Sequence, residues 1–230
     1  MKRSVLILLT LFLLISAALF GAKYNLAQEF EDIDRTNPYY AFEQINQPIF
    51  THVKILGGNK RHITIEHGDE NKLYIGKTIA EKLNYKVSSD TLIISFATDL
   101  TDDNSARKGQ WGSKKHSSLI IQGNHIKSLY AKDASISIVL ENTTHFSSQI
   151  EGYTNLTIED SFGELDKLNI VASNKSNLRI NQGGNNLNLS YFNIELHEEC
   201  TAELYLVNSD STIIDLDTNS RISADANFFK

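Results

Sequence analysis

The chain has 230 residues, 41% of them hydrophobic and 22% charged, a balance that belongs to a globular protein and excludes a mainly disordered one. Its formal net charge is −6, and setting aside Lys2 and Arg3 leaves 20 basic against 28 acidic side chains, −8. That sign disfavours nucleic acid and anionic lipid headgroups as partners, and the lone Cys200 excludes an intramolecular disulfide.

Residues 1–22 stand apart. Lys2 and Arg3 precede an uncharged apolar run from Val5 to Phe20, which closes in Gly21-Ala22 before Lys23. A basic start and an apolar stretch fit a signal peptide, with Ser16, Ala17 and Ala18 as small residues for cleavage. At 1.5 Å per residue the eighteen residues from Val5 to Ala22 reach about 27 Å, close to the ~30 Å hydrocarbon core, and so also fit an uncleaved anchor helix. In both cases Lys2 and Arg3 hold the N-terminus in the cytoplasm and the rest is exported across the inner membrane. The expected location is the cell envelope: single-pass anchored with the C-terminal domain outside the cytoplasm, or periplasmic or secreted after cleavage.

Residues 23–45 carry Glu29, Glu31, Asp32 and Asp34 ahead of Pro38 without a sustained period, and read as an acidic spacer. A β-domain is expected over 46–230, beginning with an irregular strand-rich part over 46–96. There, strands over 50–56 and 62–66 flank Gly57-Gly58-Asn59 and read as a hairpin, and a further strand covers 73–75. Residues 78–83 fit one helical turn capped by Thr78, followed by a strand pair over 85–87 and 92–96 about Ser88-Ser89-Asp90.

Residues 97–117 form an insertion of the kind that often carries function. It holds the only tryptophan, Trp111, with Asp99, Asp102, Asp103, Lys114 and Lys115, and is the candidate partner-binding loop. Trp111 could stack on a sugar face. The acidic residues offer hard oxygen ligands, but their spacing matches no calcium loop, so no metal is assigned.

Residues 118–230 repeat one phrase, an apolar-x-apolar pair, a polar turn, then a second pair, at intervals of 17 to 20. The phrases are Leu129/Ala131 with Ile136/Ile138, Phe146/Ile150 with Leu156/Ile158, Leu168/Ile170 with Leu178/Ile180, Leu187/Leu189 with Ile194/Leu196, and Leu204/Leu206 with Ile214/Leu216. A two-residue step sends paired side chains to one face of a strand, and the Asn, Ser, Asp and Gly between pairs supply turns. Recurrence at about 20 residues predicts an all-β fold, a single elongated β-solenoid or β-helix-like domain after an N-terminal hydrophobic helix. An antiparallel β-sandwich is the alternative, because it yields similar local alternation.

The phrase order His52-Val-Lys-Ile-Leu-Gly-Gly, Ile63-Thr-Ile-Glu-His-Gly-Asp-Glu, Leu73-Tyr-Ile and Val87-Ser-Ser-Asp-Thr-Leu-Ile-Ile, followed by solenoid-like repeats, resembles the auto-transporter adhesin head GIN domain family of exported Bacteroidetes-type proteins. The resemblance covers 49–216. It implies a β-helix-like envelope domain and brings no catalytic residues. This chain departs from the pattern in using Asp133-Ala-Ser and Asn174-Lys-Ser turns and in carrying the 97–117 insertion.

No Gly-x-Ser-x-Gly elbow is present. Glu151, Glu159, Asp160, Glu164 and Asp166 read as a solvated acidic face without a matching basic cluster, Arg179 being isolated. His197-Glu198-Glu199-Cys200 reads as a polar corner with one buried thiol. The expected function is non-enzymatic: an adhesin-like or binding module in the envelope, presenting a solenoid face to protein or glycan partners. No cofactor and no nucleic acid are expected, and membrane contact only through an uncleaved N-terminal segment. The alternatives are a carbohydrate-active enzyme on a β-helix scaffold and a structural or sensory envelope component.

Overall fold

Helix α1 (Arg3–Glu31) occupies the first of two compact units, Met1–Ala41, and the β-strands occupy the second, Phe42–Lys230. The computed structural model describes residues 3–31, 37–58, 61–97, 117–141, 143–160, 165–181 and 186–225. Within α1, Leu9–Gln28 has a mean hydropathy of 1.5 with none of that stretch buried, long and apolar enough to cross a membrane. The helix runs through the start of the expected spacer to Glu31. Lys23, Leu26, Ala27, Gln28 and Glu29 are good helix formers, and no Gly or Pro interrupts them.

The strands of the second unit are, in chain order, β1 (Phe42–Asn46), β2 (His52–Leu56), β3 (His62–His67), β4 (Lys72–Gly76), β5 (Leu83–Ser88), β6 (Thr91–Phe96), β7 (Leu119–Gly123), β8 (Ser128–Lys132), β9 (Ser135–Leu140) and β10 (His145–Glu151). They continue with β11 (Asn155–Asp160), β12 (Lys167–Ala172), β13 (Asn177–Ile180), β14 (Leu187–Leu189), β15 (Tyr191–Leu196), β16 (Thr201–Leu204), β17 (Val207–Ser209), β18 (Thr212–Leu216) and β19 (Arg221–Ala224). A nine-stranded sheet A has the order β1-β4-β7-β3-β9-β11-β13-β16-β19, and an eight-stranded sheet B the order β18-β15-β12-β10-β8-β2-β6-β5. Among the described residues the fold is all-β apart from α1 and one 3-10 turn.

Two local expectations are corrected. Residues 50–56 and 62–66 do not make a hairpin: β2 lies in sheet B beside β6 and β8, whereas β3 lies in sheet A between β7 and β9. Gly57 and Gly58, with φ of +81° and +91°, turn the chain out of one sheet and into the other. The turn at 78–83 is a 3-10 turn over Ala80–Lys82 that begins at Ile79 without a side-chain cap, so Thr78 does not cap it. Ile79 is fully buried, and its burial holds the turn in place. The strand pair β5/β6 forms as an antiparallel hairpin about Ser89, whose φ is +57°.

From β8 onward, successive long strands alternate between sheets B and A, and from β10 onward each pairs in parallel with the strand one repeat earlier. Parallel register stacks equivalent side chains. Leu129, Ser148, Ile170, Ile194 and Ile214 align across sheet B, and Ile136, Leu156, Leu178, Ala202 and Ile222 align across sheet A. Stacked pairs lie 19 to 24 positions apart, extending beyond the 17 to 20 of the sequence pattern. The three-residue strands β14 and β17 pair as a third sheet, and β14 falls within the longest interval, the 24 positions from β12 to β15. Their insertion shifts the assignment of the last two phrases. Ile194 and Leu196 lie in sheet B, with Leu204 as their sheet A counterpart, and Leu206 leaves the core at 45% exposure with φ +50°.

Ser148 is a polar intruder in the sheet B ladder, buried between Leu129 and Ile170, with an Oγ that has no hydrogen-bond partner among the described residues. Ser148→Ala is therefore expected to raise stability by about 1 kcal/mol, read as a melting temperature ~2–4 °C higher. A lower melting temperature would show that the hydroxyl has a partner.

At the corner from sheet B to sheet A, Ala134, Thr154, Ser176, Cys200 and Ser220 precede mutually paired strands and are all buried. The hydroxyls cap the turn: Ser176 Oγ donates to Ser173 O at 2.7 Å and Gly152 O at 2.9 Å, and Cys200 N donates to Ser220 Oγ at 3.1 Å. Cys200 is fully buried while Glu198 and Glu199 are exposed with positive φ, and burial pushes its thiol pKa up. Asp217 closes the last such corner, accepting hydrogen bonds from Asn219 N and Ser220 N on Oδ1 and from Glu198 N on Oδ2. Its pKa falls from 3.8 to about 2, mainly through Ser220 and the Glu198 amide. A depressed carboxylate pKa contributes stability that is complete above the unfolded value and lost as pH falls through the folded one. Wild type should lose melting temperature between about pH 4 and pH 2, and Asp217→Asn should flatten that part of the profile. Superimposable profiles would exclude Asp217 as the titrating group.

Candidate functional site: the outer face of sheet B

In sheet B the residues alternate with the core positions, so every second side chain points out, and parallel register lines these up across the strands. One row contains His145, Lys167 and Tyr191 on β10, β12 and β15. The next contains His52, Ser128, Ser147, Asn169 and Asn193, and a third contains Lys54, Tyr130, Gln149, Val171 and Glu195.

Two shallow depressions lie on this surface and share Ser147 and Asn169. The first, about 620 Å³, is lined by His125, Lys127, His145 and Lys167 together with Tyr191 and Asn193. The four nitrogen-bearing side chains are all exposed. The second, about 440 Å³, is lined by His52, Lys54, Tyr130 and Gln149. Together they form a local concentration of cationic and imidazole groups in a chain of net charge −6.

Hydrogen bonds within and between rows preset the face. Asn193 Nδ2 donates to Asn169 Oδ1 at 2.7 Å and to Glu195 Oε1 at 3.1 Å. His52 Nδ1 lies 2.6 Å from Ser128 Oγ, and its Nε2 lies 3.4 Å from Asp90 Oδ2. Lys54 Nζ sits 5.1 Å from the centre of the Tyr130 ring, a cation–π contact. Burial, with a smaller push from Glu151, raises the Tyr130 pKa, so the phenol stays protonated and keeps its donor. The surface offers amide, hydroxyl and ammonium donors beside two aromatic rings.

The candidate partner-binding residues Trp111, Asp99, Asp102, Asp103, Lys114 and Lys115 lie outside the described residues. Their segment leaves β6 in sheet B and returns through β7 in sheet A. Among the carboxylates, Glu151 ends β10 in sheet B whereas Glu159 lies on β11 in sheet A, so these two do not face one substrate. Burial pushes the Glu159 pKa up. Glu164 is outside the described residues, as is the side chain of Asp160. Arg179 is not isolated: its Nε lies 2.9 Å from Glu203 Oε2, which also accepts from Tyr205 Oη at 2.9 Å. Tyr205 and Arg179 together hold the Glu203 carboxyl below its ordinary range.

The basic cluster is absent from the sequence reading because its members are scattered. Lys127, His145, Lys167 and Tyr191 stand 18, 22 and 24 positions apart and meet only through the parallel register. Aligning the sequence at the repeat interval, and reading the residues between the apolar ones, is the signal that finds them.

No family model and no curated protein matches the sequence. Among solved structures the chain is similar to a protein from Bacteroides fragilis named as a candidate adhesin, at 9% identity and TM-score 0.41, covering 80% of this chain and 95% of that one. A candidate adhesin from Parabacteroides merdae follows at 10% identity and TM-score 0.37, covering 80% and 94%. A candidate lipid-binding protein from Parabacteroides distasonis is similar at 11% identity and TM-score 0.37, covering 80% and 91%.

Proposed function

We propose that this chain is a non-enzymatic, adhesin-like binding module of the cell envelope, and that it takes acidic glycans on the outer face of sheet B. The observation that carries the reading is the gathering of Lys127, Lys167, His125 and His145 around one depression beside Tyr191 and the Asn169–Asn193 pair. Ammonium groups meet carboxylates or sulfates, amides meet hydroxyls, and a tyrosine ring meets a sugar face. In a chain of net charge −6 such a patch opposes the surrounding field, so it selects a ligand that presents its charges locally.

The parallel ladders, with strands alternating between two sheets, support a β-solenoid whose rungs begin after residue 118. The 46–96 part is its irregular start and 97–117 a loop offered to a second portion of a ligand through Trp111. Membership of the GIN domain family rests on the phrase order given above. The apolar length of helix α1 supports a signal or anchor role, and with it a domain exported from the cytoplasm.

Titration of the protein with polygalacturonate and with neutral dextran tests this reading. The acidic polymer should bind and the neutral one should not. Lys127→Glu with Lys167→Glu should weaken binding about 10- to 100-fold with the melting temperature unchanged. Equal affinity for both polymers, or for both protein forms, overturns the ligand class, and release of shortened chains from the polymer overturns the non-enzymatic reading.

A further inference from the structure

The two ends of the strand ladders are finished differently. At the β1/β5 end both sheets close with an antiparallel strand, β1 on sheet A and β5 on sheet B. Ile79 and Leu83 seal the core there, and β5 turns Asn84, Tyr85 and Lys86 to solvent. At the other end the outermost strands, β18 and β19, continue the parallel ladder and are covered by no further strand among the described residues.

The core positions of that last rung are open. Ile194 and Leu196 on β15 are fully buried, yet their register partners on β18, Ile214 and Leu216, are 36% and 37% exposed. On β19, Ile222 and Ala224 pair with the buried Ala202 and Leu204 but are themselves only partly covered. A stacked repeat needs a polar terminal layer to stay soluble alone, and an edge strand with an apolar inner face is a template for further pairing.

We propose that this rung is a self-association surface on which a second copy of the chain docks end to end, β18 against β18 and β19 against β19, both pairs antiparallel. The sequence of the edge is self-complementary in that arrangement. Centring β19 on Ser223 sets Arg221 opposite Asp225 twice and Ile222 opposite Ala224. Centring β18 on Ile214 sets that residue against its own copy and Thr212 against Leu216. Directly opposed residues in an antiparallel pair share a face, so the core side chains of one copy meet those of the other. The arrangement uses the same edge on both copies, so it is isologous and leaves no further copy of that edge exposed. The contact therefore closes as a two-fold dimer and does not propagate into a fibre.

The test places a cysteine at the centre of symmetry. In the full-length protein in detergent, Ser223→Cys is expected to give a disulfide-linked dimer under mild oxidation, since opposed residues of an antiparallel pair approach within bridging distance. Asn84→Cys, at the capped end, should stay monomeric. Arg221→Glu should weaken dimerisation about tenfold, and adding Asp225→Lys should restore it. Circular dichroism melting of each variant separates loss of pairing from loss of folding. Absence of the Ser223→Cys dimer, or equal crosslinking through Asn84→Cys, overturns the proposal. So does a protein that dimerises only after residues 226–230, with Phe228 and Phe229, are removed, because the chain's own tail is then what covers the rung.

Discussion

Replacing Ile170 by aspartate is expected to abolish cooperative folding of the strand ladders. Ile170 is fully buried in the middle of sheet B, in register with Ser148 on one side and Ile194 on the other. An unpaired carboxylate there costs several kcal/mol, at least roughly 3–5, against a total stability of about 5–15 kcal/mol for a domain. Truncation to alanine removes packing without adding charge and should cost about 2–5 kcal/mol. The neighbouring Val171 points to the outer face, so Val171→Asp should change stability by less than about 1 kcal/mol. Thermal melting followed by circular dichroism compares the three. A larger loss at 171 than at 170 would mean that strand β12 is displaced by one residue, because a one-residue slip exchanges the two faces.

The second large effect is expected at the corner between β10 and β11. Gly152 has φ +67°, a conformation that a β-branched residue adopts only under strain. A side-chain carbon at this position would also run into the Asp133 carboxylate of the preceding corner. That carboxylate is fixed, since its Oδ1 accepts the Tyr153 amide at 3.0 Å. The Gly152 carbonyl in turn accepts from Ser176 Oγ at 2.9 Å, so one residue ties three successive corners together. Gly152→Val should cost about 3 kcal/mol or more, a fall in melting temperature of roughly 6–12 °C. Combining Gly152→Ala with Asp133→Ala removes the collision but not the dihedral strain, so the pair should recover only part of the loss suffered by Gly152→Ala alone. Full recovery would assign the whole effect to the collision.

Most of the core was legible in the sequence. Leu129, Ile136, Leu156, Leu168, Ile180 and Ile194 are all core residues, because the two-residue step of a strand leaves few ways to bury them. The corners were legible as well: Asp133, Asn174 and Glu198 take positive φ in the polar segments between apolar pairs. Which strands pair was not legible, and the supposed hairpin of β2 with β3 is the clearest case. A short Gly-Gly turn suits a hairpin and a sheet-to-sheet corner equally, and the choice falls to partners far away, β8 for one strand and β9 for the other. Leu206 shows the same limit. It follows Leu204 at the strand step, but the insertion of β14 and β17 turns the chain there and exposes it.

The local grammar can be read along the chain: the apolar helix at the start, the strand period, the turn positions and the all-β class. Each depends on interactions within a few residues, which a linear pattern records. Tertiary structure alone decided the parallel register, and with it the basic outer face of sheet B and the uncovered final rung. Lys127, His145 and Lys167 become neighbours, and Ile214 and Leu216 lose their cover, only once strands about 20 positions apart are laid side by side. Both features come from hydrogen-bonded pairing between distant segments, for which no short window of sequence carries the information.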